Sequence, residues 1–290
     1  MRKFGLIRKS LRDQRLAAIL VGATSAAIAL MLILIFPSYR DSLKDFEIPS
    51  AMEAFLGEAG SITTPEGFLS AEFFSWVPLL LLTLAIIGGT GAIAGEEGAG
   101  TLDLLLAQPI RRWRLLVDKA AGLTLGLLIA TLSSYPGFLI AKLFVDFDLS
   151  SWRILESVAY MFPVTFLFLA LSMLCAAVAP GRGGAATAAI GIVVATYFLN
   201  LIAPAADFLE QPRKLSPFYW SEASRVLIHG FDYVRASGLL AFGFIFLGLA
   251  AWVFERREIA AGGREWSLHL PFRHPRVEHG ESRSPSASKR

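Results

Sequence analysis

Apolar residues occur in six long runs separated by polar segments. The runs cover residues 17–36, 73–94, 120–140, 158–179, 185–203 and 237–254. Together they contain 122 residues and none of the 51 charged side chains of the chain. A helix needs about 20 residues to cross the roughly 30 Å hydrocarbon core of a bilayer. The pattern therefore predicts an all-α, polytopic membrane protein with six transmembrane helices in a domain spanning 17–254.

Composition supports a membrane protein and excludes several other classes. Of 290 residues, 54% are hydrophobic and 18% are charged, whereas a soluble domain carries roughly 25% charged residues. The single cysteine, Cys175, excludes an intrachain disulfide and a cysteine-rich metal site. His269, His274 and His279 lie in a polar C-terminal region, where we expect solvated side chains and no metal site.

Basic residues are distributed unevenly between the two sides of the predicted membrane domain. The N-terminus, the second and fourth loops and the C-terminal region hold 19 Lys and Arg, whereas the other three loops hold 8. Because cytoplasmic segments are enriched in Lys and Arg, both termini are predicted to be cytoplasmic. The net charge of +3 is thus mainly a topology signal, and no nucleic-acid partner is expected.

The segments outside the spans have distinct characters. Residues 1–16 place Phe4, Ile7 and Leu11 on one stripe among basic side chains, which is typical of an amphipathic helix in the headgroup layer of the lipid. A plain basic tail fits the same residues. The Ser-, Pro- and Arg-rich region 255–290 is predicted to be a disordered cytoplasmic tail. The fifth loop, residues 204–236 on the predicted outer side, is rich in aromatic residues. This composition suggests contact with the membrane interface or a partly re-entrant segment.

The chain carries no energy source of its own. The spans contain no acidic residue or histidine, which proton- or sodium-coupled carriers generally need at mid-membrane. No G-K-[ST] core of a P-loop is present, so the chain does not bind nucleotide in that manner. No serine in a span has a histidine or carboxylate in the same span, and no catalytic residue is assigned. A transport function would require a separate energising subunit.

The second cytoplasmic loop, residues 95–119, contains a predicted short helix. Gly100 breaks the chain, Thr101 is a good N-cap, Asp103 complements the helix dipole and Pro109 ends the helix about two turns later. Leucines surround much of this helix, between an acidic, glycine-rich stretch and a basic cluster. Such a helix suits docking in a groove of another protein.

Three motifs resemble those of type-2 ABC transporter permeases. The run GEEGAGTLDLLLAQPIRRWRLLVDK at 95–119 is similar to the signature that follows the second span of that family. The LSPFY run at 215–219 and the FERREI run at 254–259 resemble family motifs before and just after the last span. The three occur in the expected order and on the expected sides. The resemblance covers nearly the whole chain up to about Ala261.

The resemblance implies an ATP-driven exporter subunit of the cell membrane, in a bacterium or archaeon. Two copies of a separate ATPase would bind ATP and magnesium, and a second permease chain, identical or not, would complete a dimer. Residues 1–16 would be an interfacial elbow helix, and 95–109 the coupling helix. The residues expected to contact the ATPase are Glu96, Glu97, Thr101, Asp103, Leu104, Leu105, Gln108 and Pro109.

Two other functional classes fit parts of the sequence. A membrane anchor or signalling scaffold could recruit a cytosolic partner through the same loop without transporting anything. An intramembrane enzyme would need clustered titratable groups, which the sequence does not show. Within a transporter, Pro78, Pro136 and Pro163 suggest a helix-kink gate in the outer thirds of spans two to four. Prolines that are merely tolerated near helix ends are the simpler explanation.

Overall fold

The computed structural model describes residues 5–42, 64–95, 111–179, 181–205 and 207–256. These ranges contain helices and connecting turns, and no strand. Six helices or helix pairs are long and apolar enough to cross a membrane, which confirms the predicted all-α, six-span architecture. They are Ser10–Ser42, Pro65–Gly95, Arg112–Ala141, Ser151–Val178, Gly181–Ile202 and Tyr233–Arg256.

Eleven α-helices make up the described part of the chain. They are α1 (Gly5–Ser42), α2 (Pro65–Leu69), α3 (Val77–Thr90), α4 (Arg112–Leu132), α5 (Tyr135–Ala141), α6 (Ser151–Val178), α7 (Gly181–Ile202), α8 (Glu210–Arg213), α9 (Pro217–Trp220), α10 (Ala223–His229) and α11 (Tyr233–Arg256). π-Helical turns occupy Ser70–Phe74 and Gly91–Gly95, and short 3₁₀ turns follow α7.

All six spans are longer than the apolar runs that predicted them, because residues beyond the ends of those runs continue the helix. α4 begins at Arg112, eight residues before the predicted span, and no glycine or proline interrupts 112–119. Likewise α1 is one continuous helix from Gly5 to Ser42, without the predicted boundary between an elbow helix at 1–16 and a span at 17–36. No glycine or proline lies between Gly5 and Gly22 to end the helix there.

Spans two and three are each interrupted near one end. In span two, a π-helical turn and the residues Ser75 and Trp76 precede α3, whose first turn contains Pro78. In span three, α4 ends at Leu132 and α5 restarts with Pro136 in its first turn. Proline lacks the backbone N–H and is tolerated at the first turn of a helix, so each break coincides with a proline.

Helix α6 is the centre of the bundle and is buried along most of its length. It packs against α3, α4, α7 and α11, while α1 packs mainly against α4 and α5. α7 and α11 bury few of their residues and leave broad apolar faces exposed. In a membrane protein such faces suit contact with lipid or with another chain.

Small residues allow three pairs of helices to approach closely. A Cβ at Gly22 of α1 would lie 2.8 Å from Ser133 Cβ, and one at Gly137 of α5 would overlap with the Ala26 backbone of α1. A Cβ at Gly89 of α3 would lie 2.9 Å from the Leu169 carbonyl oxygen of α6. These contacts hold the bundle together because backbones can meet where no side chain intervenes.

One end of the bundle, opposite the loop between spans two and three, is covered by the short helices α8 to α10. Ser216 Oγ donates to the Thr196 carbonyl of α7 (2.8 Å), and Tyr160 Oη of α6 donates to the Trp220 carbonyl (3.0 Å). The aromatic fifth loop is thus tied to two spans by side-chain hydrogen bonds. Its exposed apolar side chains include Phe208 and Leu215.

Candidate functional site

The predicted coupling residues lie in a segment that the described residues flank on both sides. We call it the 96–109 segment. It lies outside the described residues and contains Glu96, Glu97, Thr101, Asp103, Leu104, Leu105, Gln108 and Pro109. The chain enters this segment from the π-helical turn Gly91–Gly95 and leaves it at Arg111, the N-cap of α4. We call the end of the bundle that carries these two points the loop-2 end.

Lys119 contacts the π-helical turn from the neighbouring helix. Its side chain lies on α4 among Leu115, Leu116 and Leu123, and only 5% of the residue is exposed. The ammonium Nζ donates a hydrogen bond to the Ala92 carbonyl oxygen, 2.6 Å away. A buried ammonium needs such an acceptor, and the last carbonyls of a helix need such a donor. The bond therefore joins α4 to the point where the chain enters the 96–109 segment.

Arg182, at the start of α7, lies close to the same turn. A Cβ at Gly95 would lie 3.7 Å from Arg182 Cδ, and one at Gly91 would lie 3.8 Å from an Arg182 guanidinium nitrogen. These are ordinary van der Waals distances. The two glycines therefore face a basic side chain from the turn between α6 and α7, and both α4 and α7 reach the beginning of the segment.

Gln14 of α1 is a buried polar side chain between α3 and α4. Its amide nitrogen Nε2 donates to the Leu84 carbonyl oxygen at 3.2 Å. A Cβ at Gly88 would overlap with this nitrogen, and one at Gly126 would lie 3.4 Å from Gln14 Oε1. Oε1 is buried and accepts no hydrogen bond within the described residues. Gln14 lies about one helical turn after Leu11, so this part of α1 packs into the bundle.

The sequence reasoning missed both Gln14 and Lys119. A pattern for each was present: Lys119 falls between Leu116 and Leu123 on one α4 face, and Gln14 falls between Leu11 and Ala18 on α1. A polar residue within a buried stripe is rare without a partner, which makes such positions worth examining. The local sequence does not indicate which neighbouring helix supplies the carbonyl that each side chain binds.

The three prolines of the predicted gate occupy different structural positions. Pro78 and Pro136 lie in the first turns of α3 and α5, beside the breaks of spans two and three. Pro163 lies inside the continuous helix α6 and is buried. Of these three prolines, Pro163 alone removes a hydrogen bond from the middle of a helix.

Buried hydroxyl groups of the spans mostly bond within their own helices. Thr131 Oγ1 donates to Leu127 O (2.9 Å), and Thr165 Oγ1 donates to Phe162 O (2.9 Å). Asn200 Oδ1 instead accepts from Arg213 Nε at 3.0 Å, at the end opposite loop 2. These partners satisfy the polar groups internally.

The comparisons with known proteins agree with this architecture. The sequence profile of the ABC-2 family transporter proteins matches residues 5–259. A protein of Pseudomonas aeruginosa named "Probable ABC transporter permease protein NosY" is 27% identical over 230 residues, covering 72% of this chain and 83% of that protein. The family profile thus spans all six membrane helices and the segment between spans two and three. This chain belongs to the ABC-2 family of transporter proteins and is a multi-pass membrane subunit.

Proposed function

We propose that the chain is the membrane subunit of an ABC exporter and that residues 96–109 transmit the action of a separate ATPase. Membership of the family supports a transporter subunit that works with an ATPase and a second permease chain. The finer proposal assigns two ATPase copies, which carry ATP and magnesium, and a homo- or heterodimer of permeases. The loop-2 end and both termini would face the cytoplasm.

The observation that carries this proposal is how the 96–109 segment joins the bundle. The segment connects two long spans at one end, and Lys119 bonds to the turn from which it starts. Arg111, Arg112 and Arg114 begin the helix that follows it. Their charge supports a cytoplasmic position for this end, where a soluble ATPase has access. A force applied to the segment would act directly on α3 and α4.

The residues of this chain would then carry the movement through the bundle. Hydrolysis of ATP by the partner subunits supplies the energy. Movement of the segment would shift α3 and α4 together, because Lys119 joins them through the Ala92 carbonyl. Gln14 bonds to the Leu84 carbonyl, so α1 would follow α3. Such a coupled shift between discrete packings could open the bundle toward the outer side.

Co-purification with an ATPase tests the proposed coupling. The chain is co-expressed with candidate ABC ATPase subunits, and co-elution and ATP hydrolysis are recorded for the wild type, Leu104→Arg and Leu105→Arg. We expect a stoichiometric ATPase with the wild type and its loss in both variants, because a charge replaces an apolar docking side chain. Leu143→Arg is the matched control, since Leu143 is 82% exposed after α5, at the other end of the bundle. Retention in all three variants would contradict the role of the segment.

Cysteine labelling tests the orientation. In a Cys175→Ala background, single cysteines are placed at Asp148 and Ser286 and treated with a membrane-impermeant maleimide. Asp148 is exposed between α5 and α6, and Ser286 belongs to the C-terminal region. We expect Asp148→Cys to react in intact cells and Ser286→Cys only after permeabilisation. The reverse result would place the loop-2 end outside.

A further inference from the structure

We propose that Lys119 is a positioning residue for binding of the ATPase, because it holds the turn Gly91–Gly95 from which the 96–109 segment starts. This role rests on the proposed function, because it assumes that the segment is the ATPase contact. Lys119 itself lies outside that segment, on the first turns of α4, and its side chain is directed into the bundle. It therefore acts through the turn Gly91–Gly95 and not by touching the partner.

The turn that Lys119 contacts has little stiffness of its own. α3 ends in the sequence Gly88-Gly89-Thr90, and Gly91–Gly95 follow as a π-helical turn with a glycine at each end. Glycine loses more conformational freedom than other residues on folding and weakens a helix by about 1 kcal/mol relative to alanine. The direction in which the chain leaves α3 therefore depends on contacts from neighbouring helices.

Lys119 supplies a charged contact to this turn. Its ammonium donates to the Ala92 carbonyl at 2.6 Å from a site that is 5% exposed, so the bond is short, charge-assisted and shielded from water. A cation at this position also complements the negative end of the α3 dipole. The side chain of Arg182, on α7, also lies beside Gly91 and Gly95. Lys119 thus acts as a C-cap that is provided by a neighbouring span.

Hydrogen exchange of the purified permease tests the local effect without an ATPase. Wild type and Lys119→Met are compared in the same detergent, with Lys142→Met as the matched control. Lys142 ends α5 and donates to the Leu149 carbonyl and, at 3.4 Å, to Ser151 Oγ, in a different part of the bundle. We expect amides 91–95 to exchange about tenfold faster in Lys119→Met, since a charge-assisted hydrogen bond is lost. Lys142→Met should leave them unchanged, and equal effects of both variants would overturn the proposal.

Titration of the permease with the co-purifying ATPase tests the positioning role. If the turn Gly91–Gly95 adopts its binding geometry less often, the chain binds the ATPase in proportion to that population. We expect Lys119→Met to weaken the apparent affinity about tenfold, with the rate of ATP hydrolysis at saturation unchanged. Unchanged affinity, or a lower rate at saturation with unchanged affinity, would overturn the role.

Two further comparisons separate the possible failures. If Lys119→Met does not purify as a single species, Lys119→Arg and Lys119→Gln are compared instead. The exchange rates and the apparent affinity of the charged Lys119→Arg must then lie closer to those of the wild type. A wild-type chain that binds no ATPase would overturn the proposed function and this role together. A wild type that binds, combined with an unaffected Lys119→Met, would overturn the role of Lys119 alone.

Discussion

The amide of Gln14 in α1 and the carbonyl of Leu84 in α3 form a hydrogen bond across 3.2 Å within the bundle. Leu84 O lies one turn before Gly88, and the missing side chain at Gly88 leaves the space that the Gln14 amide occupies. The bond and the glycine are therefore parts of one contact. It connects the N-terminal turns of the protein to the span that leads into the 96–109 segment.

Replacing Gly88 by Ala should destabilise the protein through Gln14. The new Cβ would overlap with Gln14 Nε2, and we expect the free energy of unfolding to fall by about 1–3 kcal/mol, as in other overpacked cores. In a Gln14→Ala background the overlap is absent, so most of this loss should disappear. Thermal unfolding in detergent measures the loss of stability in the wild-type background and in the Gln14→Ala background. Gly248→Ala is the control, because a Cβ there meets no atom within 4 Å. The same loss in both backgrounds would refute the link between the two residues.

Gly137→Ala should be more damaging than a typical glycine substitution. A Cβ at Gly137 of α5 would overlap with the backbone of Ala26 in α1, and a backbone in a packed helix has no alternative rotamer. We expect the free energy of unfolding to fall by about 3 kcal/mol or the yield of folded protein to drop sharply. Gly191→Ala is the matched control, because its Cβ would enter open space. Equal stability of the two variants, measured by chemical unfolding, would show that α1 and α5 do not approach so closely.

Tyr160→Phe should loosen the cover at the end opposite loop 2. Tyr160 is 1% exposed, and its hydroxyl donates to the Trp220 carbonyl at 3.0 Å. Loss of this bond should lower the free energy of unfolding by about 1 kcal/mol. Exposure of Trp220, followed by fluorescence quenching, should increase. Tyr197→Phe is the control, because the Tyr197 hydroxyl makes no hydrogen bond among the described residues. An equal change of quenching in both variants would contradict the expectation.

Pro163→Ala provides the sharpest test of the predicted gate. Pro163 is buried inside α6, so alanine would restore a backbone hydrogen bond and stiffen the central helix. The gate hypothesis predicts lower transport turnover together with equal or greater thermal stability. Pro78→Ala is the companion variant, because Pro78 lies in a first turn where no intrahelical bond is missing. Unchanged turnover and outward opening in Pro163→Ala would exclude α6 from the gate.

The number and the approximate positions of the spans were predictable because the membrane imposes a local rule. About 20 apolar residues without a charge are enough to indicate a span, whatever the rest of the chain does. The ends were less predictable, since a segment with charged residues, such as 112–119, can continue a helix beyond the uncharged apolar run. The same reason explains why α1 shows no boundary after residue 16.

The contacts between helices could not be predicted in the same way. The spacing of Gly91 and Gly95 resembles a helix-packing face, yet both glycines face the side chain of Arg182. Gly22, Gly89 and Gly137 instead lie where neighbouring helices approach closely. Many spans contain small residues, and only the relative rotation of two helices decides which of them meet.

The sequence by itself therefore determined that this is a six-span membrane protein with the motifs of a transporter subunit. Apolar length and motif order are properties of single segments. The tertiary structure decided that Gln14 and Lys119 would bond to carbonyls of α3 and its terminal turn. A buried polar group needs a partner, but the identity of that partner depends on which helix lies opposite, and only the assembled bundle specifies it.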